Sequence, residues 1–176
     1  MTETETKTSA LLNRLPELQD GKMPPIDATL STELVQTILK GEKDAIVGVI
    51  DALREVDNGS DWKPRFLLQT LASSVGTPAL APQRQMLADV MLDEAVGTRP
   101  SSVRTFLLER LRLLAGEDAV AKLIPLLAAE DSQLADAAAT VLVSIGTPAK
   151  APLAEALKTA QGRRKEVIGN ALAQIP

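Results

Sequence analysis

From Ser31 onward, apolar residues recur at three- and four-residue steps, the spacing that gathers them on one face of an α-helix. Leu34, Val35, Ile38 and Leu39 form the first such stripe, and Gly41 follows it as a stop. Ala45, Ile46, Val49, Ile50, Leu53 and Val56 form a second, broken by Asn58-Gly59. The same reading predicts helices over about 61–75, 77–95, 101–115, 117–129, 132–145, 147–160 and 163–175. The connections between them are short, and short links between similar amphipathic helices imply antiparallel neighbours. Residues 1–30 lack sustained periodicity, and Leu15-Pro16 and Met23-Pro24-Pro25 interrupt any long helix there. They read as a polar, partly flexible leader with a short helix near Leu11, followed by one helical domain over 31–176.

The corners between helices repeat. Gly76-Thr-Pro-Ala-Leu-Ala-Pro82 and Gly146-Thr-Pro-Ala-Lys-Ala-Pro152 differ at one position and lie 70 residues apart. In each, Gly can close one helix in the left-handed conformation, Thr can cap the next with its hydroxyl, and Pro suits the first helical position. Gly116, after the apolar run Leu113-Leu114-Ala115, stands between the two copies. The interval therefore holds two helix pairs, and units of about 35 residues are the signature of an α-solenoid.

These residues resemble HEAT repeats of the short bacterial type, also found in HEAT-like bilin lyases, whose second helix reads Asp-x-x-Val-Arg, then Ala, Leu and a closing Ile/Leu-Gly. The run from Asp131 to Gly146 is similar to that pattern, with Leu134 in place of Val and Ala135 in place of Arg. Ser102-Val103-Arg104, continuing to Leu111, Leu114 and Gly116, keeps the Val-Arg pair, and Glu166-Val167 with Ala171, Leu172 and Ile175 resembles a truncated last copy. The resemblance covers residues 76–176 and extends to 42–75, while residues 1–41 match no repeat. It implies an all-α HEAT-like superhelix of antiparallel helix pairs, in which the second helices line a concave surface. Such a fold implies a scaffold and leaves the partner open.

Composition narrows the chemistry. Hydrophobic residues make up 45% of the chain but aromatics only 2%, which favours packed helices over sheets. Cysteine and histidine are both absent. Their absence excludes disulfides, thiolate nucleophiles, Cys or His metal ligands and the Ser/His and Cys/His arrangements. Asp44, Asp51, Asp89, Asp93 and Glu94 supply carboxylates without a spacing that singles out an acid and a base. No phosphate-cradling loop is present, so neither catalysis nor a cofactor is expected. The formal net charge of -4 offers no whole-chain attraction to nucleic acid. The acidic, polar start and the lack of any apolar run of about 18 residues point to a cytoplasmic protein with no membrane partner.

Two sets of residues stand out as candidate binding groups. On the helix over about 61–75, Trp62, Phe66 and Gln69 fall opposite the aliphatic stripe of Leu67, Leu68, Leu71 and Val75. Such aromatics anchor interfaces when exposed, and otherwise a neighbouring helix or the leader covers them. Basic residues recur near the starts of second helices: Lys63 and Arg65, Arg99 and Arg104, then Arg163, Arg164 and Lys165. They form either a ladder for phosphates or an acidic partner, or ordinary solvated charge, and the helix starting at Ser132 breaks the ladder with Asp131 and Asp136. Arg110, among Val103, Phe106, Leu107 and Leu114, is expected to run its stem along the apolar surface. The leading expectation is a non-catalytic adaptor that binds a partner protein or peptide through the concave face, and the alternative is weak nucleic-acid binding through the basic residues. The final helix is read as short and poorly capped, which favours weak homodimerisation.

Overall fold

A computed structural model describes residues 3–55 and 59–176, with side chains from Thr6 onward. Met1, Thr2, Val56 and Asn58 lie outside the described residues, so the end of the second stripe is not among them. The protein is all-α. Among the described residues the α-helices are α1 (Glu3–Leu12), α2 (Ala28–Lys40), α3 (Glu42–Asp51), α4 (Trp62–Ser74), α5 (Ala81–Val96), α6 (Ser101–Leu111), α7 (Val120–Leu123), α8 (Ser132–Ile145), α9 (Thr147–Thr159) and α10 (Gly162–Gln174). The chain divides into two compact units, Met1–Leu87 and Ala88–Pro176, with the division falling inside α5.

In the first unit α1 packs against α3, while α2, α3 and α4 pack on one another. Leu34, Ile38, Ile46, Val49, Leu67, Leu68 and Leu71 are fully buried, as their helical spacing predicts. The leader belongs to this unit: its Leu15 is 2% exposed, and Arg14 donates to Glu33 of α2 at 2.6 Å. Asp27 starts α2 by accepting the backbone N–H groups of Thr29 and Leu30. Gly41 ends α2 with ordinary backbone angles, and the left-handed residue of that corner is Glu42, at φ 54°. Glycine is required at 41 for space, since a Cβ there would lie 2.6 Å from the Cβ of Ala45.

Asp61 is the buried charge of this unit, at 2% exposure. Its carboxylate accepts the Arg65 Nε–H at 2.9 and 3.0 Å and the Arg54 backbone N–H at 2.9 Å, so it holds both ends of the connection between α3 and α4. Buried acids are tolerated when paired and hydrogen-bonded in this way.

In the second unit α8 packs against both α6 and α10. The residues between α6 and α8 form short 3₁₀ turns at Glu117–Ala119 and Ile124–Ala128 on either side of α7. The continuous helix expected over 117–129 is interrupted because Pro125 has no N–H to continue an α-helical ladder. That segment packs on α8 and α9, and α9 on α10. Helix α8 thus lies against both α6 and α10, and the 117–128 segment lies against α9 as well as α8. Helix α6 stops at Leu111, short of the expected 115, as the chain tightens into bonds from Leu113 to Arg110 and from Leu114 to Leu111.

The two copies of the corner motif differ in conformation. Gly146 takes φ 79° and ψ -136°, joins α8 directly to α9 and makes Thr147 the first residue of α9. Gly76 does not need a positive φ, and Thr77 precedes a 3₁₀ turn over Pro78–Leu80 before α5 begins. Neither threonine caps through its hydroxyl, contrary to expectation. The backbone carries the corner instead: the Gly146 N–H closes α8 on the Leu142 carbonyl at 3.2 Å.

Leu71, Leu87, Leu107, Leu111, Leu123 and Leu142 are fully buried, whereas Leu172, expected among them, is half-buried on α10. Truncating Leu71, Leu107 or Leu142 to Ala is expected to cost about 2–5 kcal/mol in urea unfolding, and Leu172→Ala about 1 kcal/mol. Equal costs at Leu142 and Leu172 would contradict the packing described.

Candidate functional site

Two adjoining grooves lie in the second unit, where α8 packs between α6 and α10. A groove of about 400 Å³ runs between α6 and α8, lined by Thr105, Glu109, Arg112, Gln133, Asp136, Ala137 and Thr140. A second, of about 180 Å³, runs between α8 and α10 and shares Asp136 and Thr140 with the first. Its other lining residues include Val143, Val167, Asn170 and Gln174. The spacing of α8 explains the arrangement. Gln133, Asp136 and Thr140 are exposed and share one helical face, while Leu134, Ala135, Ala138, Val141 and Leu142 turn inward.

Hydrogen bonds fix the helices that frame these grooves. Asp131 starts α8 by accepting the backbone N–H of Gln133 at 2.8 Å and of Leu134 at 3.3 Å. It also takes a hydrogen bond from the hydroxyl of Ser101, the first residue of α6. One carboxylate therefore ties together the starting ends of two adjacent helices. Arg163 at the start of α10 reaches across to Asp136 of α8 at 2.8 Å. The Arg110 guanidinium lies 4.8 Å from the centre of the Phe106 ring and donates to Glu109, so its stem follows the apolar surface as expected.

Several groups on this face remain uncommitted within the chain. The side chains of Gln133 and Asn170 and the Arg112 guanidinium make no hydrogen bond to other described residues, and all three are exposed. Each amide offers a donor and an acceptor. Arg112 offers a forked donor at the carboxyl end of α6.

The residues singled out from the sequence fall in both units. In the first, Trp62 and Phe66 are half-buried, with ring centres 6.3 Å apart and planes inclined at 59°. Lys63 pairs with Glu17 of the leader and is only 14% exposed, Arg65 pairs with Asp61, and Gln69 donates to Ser73 at 3.3 Å. In the second, Arg99 pairs with Glu94, Arg104 donates to the Ala95 carbonyl at 2.7 Å, and Arg163 pairs with Asp136. Lys165 is exposed, while Arg164 is half-buried with an Nε that meets no partner. Most of these cations thus carry an internal contact. Sequence reasoning passed over Arg112, Gln133, Thr140 and Asn170, which as residue types do not stand out from other polar positions.

No known family model and no curated protein sequence matches the chain. Among the described residues no group of acidic side chains is arranged to hold a metal ion. No helix among them is long and apolar enough to cross a membrane.

The Ser101 hydroxyl, the Leu134 and Gln133 N–H groups and the nearby Arg104 charge hold the Asp131 carboxyl below its ordinary value of 3.8, with partial burial opposing them. A depressed folded-state value means that the ionised carboxylate stabilises the fold above pH 3.8, and that this contribution is lost as pH falls through the folded value. Carbon-detected NMR titration is expected to place the Asp131 midpoint below 3.8 and to move it upward in Ser101→Ala. A midpoint at or above 3.8 in the unaltered protein would remove the link between α6 and α8.

Proposed function

We propose that this chain is a HEAT-like α-solenoid protein that acts as a non-catalytic adaptor, binding a partner protein through the face formed by its second helices. The observation that carries the reading is the pair of grooves flanking α8, which share Asp136 and Thr140 and are bordered by uncommitted side-chain amides. The repeat reading is supported by the neighbour order in the second unit. Helices α6, α8 and α10, each the second of a pair, adjoin one another, and so do the 117–128 segment and α9. Stacking of this kind buries a continuous core and leaves one row of helices to meet a partner.

A non-catalytic role fits the side chains on that face. They comprise amides, hydroxyls and charges, most of the charges held in pairs, with no nucleophile beside a base. Nucleic-acid binding draws less support, because Arg99, Arg104 and Arg163 are already engaged by Glu94, the Ala95 carbonyl and Asp136. Counterion release from a phosphate backbone needs several cations that are free to approach it.

Thr140 is exposed and borders both grooves, so Thr140→Arg fills them without touching the core. Tagged wild-type chain and this variant are compared in pull-downs from source lysate, each with and without nuclease. The expected result is a defined protein that survives nuclease and is lost by at least about tenfold with Thr140→Arg, a difference of about 1.4 kcal/mol. Retention that is equal in both chains, or that vanishes with nuclease, would overturn the proposal.

A further inference from the structure

The charges lining the groove between α6 and α8 sort into those already answered within the chain and one that is not. Glu109 is met by Arg110 at 3.2 Å, and Asp136 by Arg163 at 2.8 Å. Arg112, which lines the larger groove, has no such partner among the described residues. Once the internal pairs are set aside, the groove between α6 and α8 retains a net positive group at the end of α6. Gln133 lines the same groove nearer the start of α8, Asn170 lines the adjoining groove across Asp136 and Thr140, and each presents an amide whose donor and acceptor match those of a peptide bond. A shallow polar trough of this kind suits a chain that lies along it and offers its own backbone, rather than a compact apolar ligand.

From this we infer that the occupant of the face is an extended peptide segment of a partner protein carrying an Asp or Glu side chain, whose carboxylate pairs with Arg112 while its backbone meets Gln133 and Asn170. The inference rests on the adaptor reading and sharpens it, because it commits the partner's segment to a backbone conformation and a charge. The planar guanidinium favours a carboxylate held by two parallel N–H bonds. Arg112 then sets the register of the segment and the amides hold its direction. Before docking, the ion pair between Arg163 and Asp136, with both side chains 57% exposed, keeps the Asp136 carboxylate from repelling the incoming acid.

The test uses the full chain, immobilised and panned against a display library of random ten-residue linear peptides, with the best binder then synthesised. The selected peptides are expected to share an Asp or Glu at one fixed position. Affinity for the synthetic peptide is expected to fall about tenfold or more in Arg112→Glu, as for loss of one charge-assisted contact. Arg112→Gln should lose most of that affinity too, which separates loss of the pairing from the effect of a negative charge at a helix end. Panning against Arg112→Glu should select Lys or Arg at the same position. Backbone amide shifts around Thr140 and Asn170 locate the bound peptide. Peptides that bind this face with no acidic preference, or with an affinity indifferent to Arg112, would overturn the inference and leave the adaptor reading standing. Failure to select any peptide that maps to the face would count against both.

Discussion

The packing of α8 against both α6 and α10 is the constraint on which the candidate surface depends. Ala135, Ala138 and Ala139 are buried on α8, and small side chains at a helix contact let the neighbouring axes approach closely. Leu134, Val141 and Leu142 fill the remaining space. Because one face of α8 is consumed in this way, its opposite strip of Gln133, Asp136 and Thr140 is held between two neighbours and becomes the ridge between two grooves. Apolar burial does the holding, and the polar groups set the alignment: Asp131 joins the starts of α6 and α8, and Arg163 joins α10 to Asp136.

Most other charges act locally in the same way. Arg65 and Asp61 close the connection between α3 and α4, Lys63 takes Glu17 of the leader, and Lys122 takes Asp93 at 2.6 Å. An exposed pair such as Lys122 with Asp93 contributes little stability, about 0–1 kcal/mol, but all of these pairs decide which cations remain to meet a partner. A tally of basic residues therefore overstates the cationic surface.

The helices were legible because burial of one stripe imposes a period that the sequence must obey. Expected and observed helix ends agree within a few residues for α4, α8, α9 and α10. Legibility ended where local chemistry competes with periodicity. Pro125 splits an apolar run that has helical spacing, and the near-identical motifs at Gly76 and Gly146 fold differently because the chain around each corner sets its backbone. The leader looked irregular because prolines break its pattern, yet Leu15 and Pro24 are buried in the first unit. Among the candidate residues, the sequence marked cations by type, whereas availability depends on partners distant in the chain, such as Glu17 for Lys63. Uncommitted amides carry no marker of their own, so Gln133 and Asn170 emerged only once α8 and α10 were placed side by side.

The side-by-side placement of α6, α8 and α10 is the central claim, and the absence of cysteine makes it directly measurable. Thr140→Cys accepts a single nitroxide label on the exposed ridge of α8, and paramagnetic broadening of backbone amide signals then reports which segments lie near it. Strong broadening is expected on both flanks, at Glu109 and Arg112 of one neighbour and at Asn170 and Gln174 of the other. Broadening confined to one flank, or absent from both, would contradict the shared face and the function proposed for it.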